Sequence, residues 1–336
     1  MDTNLLQILK TRYTQLGGLR LVREYARLGV LWPMVKAMAR NPLSRQSYKN
    51  AYALALRRVE GLLQEKYRPV MREMADQVRN EGGSTGSPTA LEHKRSKIIW
   101  FCWLQGIENA PAVVKACYNS LTRLTGYSLI VIDEKNWREY IDLPDYIIRR
   151  REKKQIPPAH FSDLLRLELL IKYGGTWIDS TVLCTGESVY GLPLTAYLDT
   201  DLFMFQYTQP GSGEWGGIGN WFISACTNNE VLMVLRDMLY AYWREHDCVL
   251  NYYLFHLFFG MLREVFPKQI AAMPYAYAPR SLALVHHWGE PFDEAKWKRL
   301  TERVCFHKLT YMKDKVPTKV EGTYYEYVVK SYGMVQ

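Results

Sequence analysis

Residues 160–181 read HFSDLLRLELLIKYGGTWIDST. The leucines at 164, 165 and 167, with their neighbours, predict a buried helix over 159–172. Asp163 and Arg166 stand three positions apart and so share one face of it. A helix packed into a core carries neither residue unless the two pair or meet a ligand. Gly174-Gly175 stops the helix and allows a tight turn into Trp177-Ile178. A strand over 176–182 then presents Asp179, and parallel sheets offer their ligand groups at the carboxyl ends of strands.

The segments before this stretch extend the same pattern. KIIWFCW at 97–103 is an apolar run of strand length, ended by Gln105-Gly106. A helix is predicted over 112–124 and a second strand over SLIVID at 128–133. Strands alternating with helices indicate an α/β fold of the Rossmann-like kind, a mainly parallel sheet between helices. The first 80 residues read instead as helices, with Leu5, Leu6, Leu9 and Tyr13, then Leu19, Val22, Tyr25 and Ala26, at helical spacing. Pro33 and Asn41-Pro42 mark turns, and a third helical stretch from Tyr48 to Arg79 is expected to kink or break near Pro69. EGGSTGSP at 81–88 has linker composition, which divides the chain into a helical N-terminal region at 1–88 and a main domain at 89–336.

Charge is concentrated at one end. Residues 1–97 hold 18 Lys and Arg against 8 Asp and Glu, whereas the remainder holds 25 against 26. Arg20, Arg23 and Arg27 interleave with apolar positions, a face suited either to an anionic membrane surface or to packing on the main domain. No zinc-finger or RNP signature supports nucleic acid as a partner. No G-x-G-x-x-G follows the first strand, which excludes a dinucleotide-dependent oxidoreductase of the usual design. Ten Trp and 24 Tyr fit a sugar-stacking cleft or an aromatic core. Six dispersed cysteines without a C-x-x-C pair read as buried, reduced thiols. With no secretory signal and no apolar run of membrane-spanning length, the expected location is cytoplasmic, on the inner face of the cell membrane.

The ordered set S-D-x-x-R, about eight residues, then G-G-x-[WY]-[IL]-D resembles the donor-binding core of D-x-D-containing GT-A glycosyltransferases. More narrowly, the chain is similar to the bacterial capsular polysaccharide synthesis family related to glycosyltransferase family 32. KIIWFCWLQG at 97–106, NYYLFH at 251–256 and FHKL at 306–309 extend the likeness over most of 95–310. The resemblance implies a GT-A-like main domain and a hexosyltransferase, retaining in its stereochemistry. Its donor would be a nucleotide-sugar, UDP-linked by expectation, and its acceptor a growing capsular or lipid-linked glycan. Trp103 would lie near the base, Asp163 and Arg166 would hold sugar and ribose hydroxyls, and Asp179 would be the first carboxylate of the D-x-D, beside a divalent Mn²⁺ or Mg²⁺.

Two positions depart from that pattern, Thr181 and Asn251. Asp179-Ser180-Thr181 has a hydroxyl where the second carboxylate is expected, so the resemblance makes Thr181 and His307 the supplementary metal ligands. Lys308 is the alternative partner for phosphate. Asn251 replaces an acidic residue, leaving His256 as a candidate base or a core histidine. Asn220 closes EWGGIGN at 214–220, where small residues would let a sugar approach the backbone. His286-His287 lacks partners at metal-ligand spacing. A catalytically silent protein that binds a nucleotide-sugar or glycan is the second reading of the missing carboxylates.

Overall fold

The computed structural model describes residues 16–39, 45–82, 92–208, 217–312 and 315–333. Among the described residues three helices come first: α1 (Leu19–Arg27), α2 (Leu31–Ala39) and α3 (Arg45–Gly82). Strands and helices then alternate as β1 (Ile98–Cys102), α4 (Ala112–Leu121), β2 (Ser128–Ile132), α5 (Asp145–Glu152), α6 (Pro158–Tyr173) and β3 (Gly175–Asp179). After these come β4 (Val182–Val189), β5 (Leu192–Pro193), β6 (Leu202–Gln206), β7 (Ile218–Ala225), α7 (Glu230–Glu245), α8 (Leu254–Leu262), α9 (Glu294–Thr301), β8 (Val304–Lys308) and α10 (Tyr324–Gly333), with shorter helical turns between. Leu5, Leu6, Leu9, Tyr13, Asn41-Pro42, the linker from Gly83 to Pro88 and Glu214–Gly216 lie outside the described residues.

The chain forms two compact units. One takes Met1–Ala90, Asp142–Leu164 and Met233–Pro267, and the other Leu91–Ile141, Leu165–Leu232 and Lys268–Gln336. Helices α6 and α7 each run from one into the other. The first unit thus contains more than the N-terminal helices.

Within the first unit α3 is the organising element. Ala51, Ala55, Val59, Leu63, Tyr67, Met71, Ala75 and Val78 are buried along it, nearly one every fourth residue, which is the seam of an amphipathic helix. Tyr67 packs on Phe258 of α8, ring centroids 5.1 Å apart. Of the kink or break expected near Pro69, the break does not occur: α3 continues through it. Proline removes one backbone donor, and the burial of Tyr67 and Met71 on either side holds the helix together across that gap. The basic residues of α3 are partly consumed internally: Lys66 pairs with Glu245, while Arg68 Nε lies 3.1 Å and Arg72 Nη2 3.4 Å from Glu264.

The second unit holds both sheets. The larger runs β2-β1-β3-β7-β6 and the smaller β5-β4-β8. β1 pairs in parallel with β2 and β3, β3 is antiparallel to β7, and β7 is antiparallel to β6. Four of five strands in the larger sheet therefore point the same way, a mixed but mostly parallel α/β sheet. Period-two alternation sorts β1: Ile99 and Phe101 enter the main core with Ile178, Phe222 and Phe306. Trp100 faces the other side, where its Nε1 donates to the carbonyl of Gly174 at 2.9 Å. Much of the aromatic content is core, with Trp100, Trp177, Trp243, Tyr197, Tyr242 and Tyr324 almost wholly buried.

Candidate active site

The site begins at Gly174-Gly175, where φ values of 67° and 91° are open to glycine and unfavourable for other residues. A Cβ at 175 would stand 2.4 Å from the Ile98 carbonyl oxygen, so only glycine lets β3 leave α6 and lie against β1. β3 then runs in register with β1, Trp177 beside Trp100 and Asp179 beside Cys102. Trp177 and Asp179 share the face of the sheet to which α6 contributes Arg166, whose guanidinium lies over the Trp177 ring, 5.0 Å from its centroid.

The expected strand over 176–182 is two strands. β3 ends at Asp179, and after Ser180-Thr181 the chain enters the smaller sheet as β4. β8 is antiparallel to β4 with Val182 opposite Lys308, and the Leu309 amide donates to the Thr181 carbonyl at 2.7 Å. The end of β8 is thereby tied to the turn that carries Asp179.

Asp179 is the hub. Its Oδ1 accepts from Trp177 Nε1 at 2.9 Å and from Arg166 Nη2 at 3.2 Å, and its Oδ2 accepts from Lys308 Nζ at 2.6 Å. Lys308 also donates to Thr181 Oγ1 at 2.8 Å. The second arm of Arg166, Nη1, donates to the Asn220 carbonyl at 2.9 Å. Burial alone would raise the Asp179 carboxyl, but Lys308, Arg166 and the Trp177 N–H outweigh it and hold the group below the ordinary carboxylate value. The Arg166 side chain is 4% exposed, whereas those of Asp179 and Lys308 are 24% and 23% exposed. One carboxylate between two cations leaves a net positive charge with an open side, an arrangement suited to an anion. Trp103 directly follows β1 at the same sheet edge, its ring edge-on to Tyr311 at 5.1 Å.

His307 does not join this group. Neighbouring residues of a strand face opposite ways, so with Lys308 turned to Asp179, His307 turns into the core, where Nε2 meets Thr185 Oγ1 at 3.1 Å. Burial pushes its imidazole down to about 4. Asp179, Thr181 and His307, expected as a metal set, do not converge on one point. An ammonium stands between Asp179 and Thr181, His307 is directed elsewhere, and no group of three His, Cys, Asp or Glu among the described residues can hold an ion.

Asp163, Asn251 and His256 belong to the first unit. Asp163 is buried with an oxygen 3.9 Å from His160 Nδ1, and His160 lies edge-on to Trp243 and Tyr252. Asn251 is a structural link: Nδ2 donates to Glu60 Oε1 at 3.0 Å, and Oδ1 accepts from the Tyr253 amide at 2.8 Å. His256 is partly buried beside the Tyr253 and Phe255 rings. All six cysteines are free, Cys102 is partly buried and the rest are buried, and burial pushes the Cys102 thiol up to about 12. One contributor escaped the sequence reading: Trp177, placed by period-two spacing from Asp179, a legible signal. Asn220, expected where a sugar would approach the backbone, enters the site through its carbonyl oxygen, which accepts from Arg166.

The fold is thus an α/β sheet that presents, at the carboxyl edge of its parallel strands, a carboxylate clasped by arginine and lysine. The chain belongs to the capsular polysaccharide synthesis protein family, whose model matches residues 53–328. Among solved structures it is similar to the PaToxG glycosyltransferase, at 15% identity and a TM-score of 0.35 over 71% of this chain and 95% of that one. Curated proteins give no match.

Proposed function

We propose that this protein is a glycosyltransferase that moves a hexose from a nucleoside diphosphate sugar, UDP-linked by preference, to a growing capsular or lipid-linked glycan. The observation that carries the reading is Asp179 clasped between Arg166 and Lys308 at the edge where a mostly parallel sheet offers ligand groups, the edge at which Trp103 follows β1. Breaking the glycosidic bond to a diphosphate develops negative charge on phosphate oxygens, and preorganised cations in a partly dry site stabilise that charge. Lys308 has the exposure to meet the diphosphate, and Arg166, buried and fixed by Asn220, keeps Asp179 in place. Retention of configuration is the expectation that comes with the family likeness.

Asp179→Asn tests the assignment better than Asp179→Ala. Alanine would strand the buried Arg166 guanidinium, a loss of about 3–5 kcal/mol that confuses folding with chemistry. Asparagine keeps an acceptor for Trp177 and removes the charge. With a panel of UDP-, GDP- and CDP-sugars, wild-type protein is expected to release nucleotide slowly, and Asp179→Asn to do so about 100-fold less. Undiminished release by the variant would refute the role of Asp179. A second reading, a silent binder of nucleotide-sugars, is favoured by Thr181 and by the structural engagement of Asn251. It predicts a shifted melting temperature with no nucleotide released.

The partner proposed for the first unit is an anionic membrane surface, on the cytoplasmic side. No helix among the described residues is long and apolar enough to cross a membrane. On α1 and α2, however, Leu19 is 79% and Trp32 73% exposed, with Val22 and Val35 also exposed. None of the residues of α2 is buried. Arg23, Arg27 and Lys36 are exposed on the same two helices, the mixture of apolar and basic groups that lies flat on anionic lipid.

A further inference from the structure

The cation at this site is already part of the chain. Lys308 Nζ spends one N–H on Asp179 Oδ2 at 2.6 Å and another on Thr181 Oγ1 at 2.8 Å. An ammonium has three such bonds, and the third meets no acceptor among the described residues. The other oxygen of Asp179 is taken by Trp177 and Arg166. A divalent ion would need an Asp179 oxygen at about 2.0–2.2 Å and several further oxygens around it. It would have to enter where the ammonium stands, and two cations cannot share one approach to one carboxylate. The residue two positions beyond Asp179 offers a neutral hydroxyl, and His307 is turned to Thr185.

We propose that Lys308 takes the place of a divalent cation, so that this chain binds the diphosphate of its donor without metal. Asp179 is then not a metal ligand. It positions Lys308 with one oxygen and Arg166 with the other, and the free N–H of Lys308 is the donor to phosphate. No redox or covalent change accompanies binding; the ammonium stays protonated and supplies a point charge with a directed hydrogen bond. The inference rests on the sugar-transfer reading of the site.

The test measures UDP, GDP and CDP binding to the full chain by calorimetry, in EDTA and with Mn²⁺ or Mg²⁺ added. Wild-type affinity for the preferred nucleotide is expected to change less than about threefold between the two conditions. Lys308→Ala should weaken binding by at least about tenfold in EDTA, and Lys308→Arg should restore most of it. A merely structural lysine would not give that rescue at unchanged melting temperature. The double variant T181D/K308A, which rebuilds a second carboxylate and vacates the ammonium, should bind UDP only when Mn²⁺ is present. Wild-type binding that requires Mn²⁺ or Mg²⁺ overturns the proposal while leaving the transferase reading in place. Absence of binding by all three nucleotides under both conditions overturns the two together.

Discussion

Arg166, Asp179 and Lys308 are separated in sequence by 13 and then 129 positions, yet their charged atoms meet within 3.2 Å. Asp163-to-Arg166 spacing and the strand-end position of Asp179 made two of the three conspicuous. Lys308 was identified by the FHKL likeness alone, because nothing in its neighbourhood states that β8 will cross beside the Asp179 turn. His307, its neighbour, shows the cost of reading adjacent residues as one cluster: strand alternation separates them. His307 also sets a pH response. Burial lowers its pKa from 6.5 to about 4, so between those values the unfolded chain holds a proton that the folded chain lacks. Its contribution to stability is intact above pH 6.5 and is lost as pH falls towards 4. At 1.36 kcal/mol per unit, roughly 2–3 kcal/mol of acid destabilisation between pH 7 and 4.5 is assigned to it. His307→Gln, which keeps a hydrogen bond to Thr185, is expected to flatten the pH dependence of the urea midpoint by that amount. Equal slopes in the two proteins would contradict the assignment.

At the scale of elements, the site is a consequence of two chain reversals. Gly174-Gly175 turns α6 into β3, and Ser180-Thr181 turns β3 of one sheet into β4 of the other. The first reversal was legible, since a glycine pair after an apolar helix marks its end. The second was not, because TWIDSTV is continuously compatible with one strand. Only the pairing of β4 with β8 pulls the chain into a separate sheet after Asp179. Gly175→Ala tests the first reversal. It combines a φ of 91° with a Cβ 2.4 Å from the Ile98 oxygen, and is expected to destabilise the second unit by more than about 2 kcal/mol, read as a fall in melting temperature. A wild-type melting temperature in that variant would show that the turn has slack. Pro69 is the converse case: a local rule predicts a kink or a break in α3, and with a buried seam on both sides the helix does not break.

For the molecule as a whole, the basic bias of the N-terminal third has two fates. Lys66, Arg68 and Arg72 are engaged by Glu245 and Glu264 within the first unit. Arg23 and Arg27 remain largely exposed although each touches an acid, and they flank an apolar helix that buries none of its residues. Vesicle sedimentation checks the membrane reading. The protein is expected to bind phosphatidylglycerol vesicles in preference to phosphatidylcholine, less so at high salt, and replacing Leu19 and Trp32 with alanine should weaken binding about tenfold. Equal binding to both lipids, or no effect of the replacements, would exclude this surface as the contact.

Sequence alone determined the α/β class, the strands read within 97–103 and 128–133, the helix bearing Asp163 and Arg166, and the acid on the strand after it. Hydrophobic periodicity and glycine placement are local properties, and local properties are written along the chain. The partners of that acid were decided only by tertiary structure. A lysine 129 positions away, an indole two residues back and a backbone carbonyl that anchors the arginine are brought together by sheet pairing. Which cation faces a carboxylate depends on register between strands distant in sequence, and register is fixed by the packing of the whole unit.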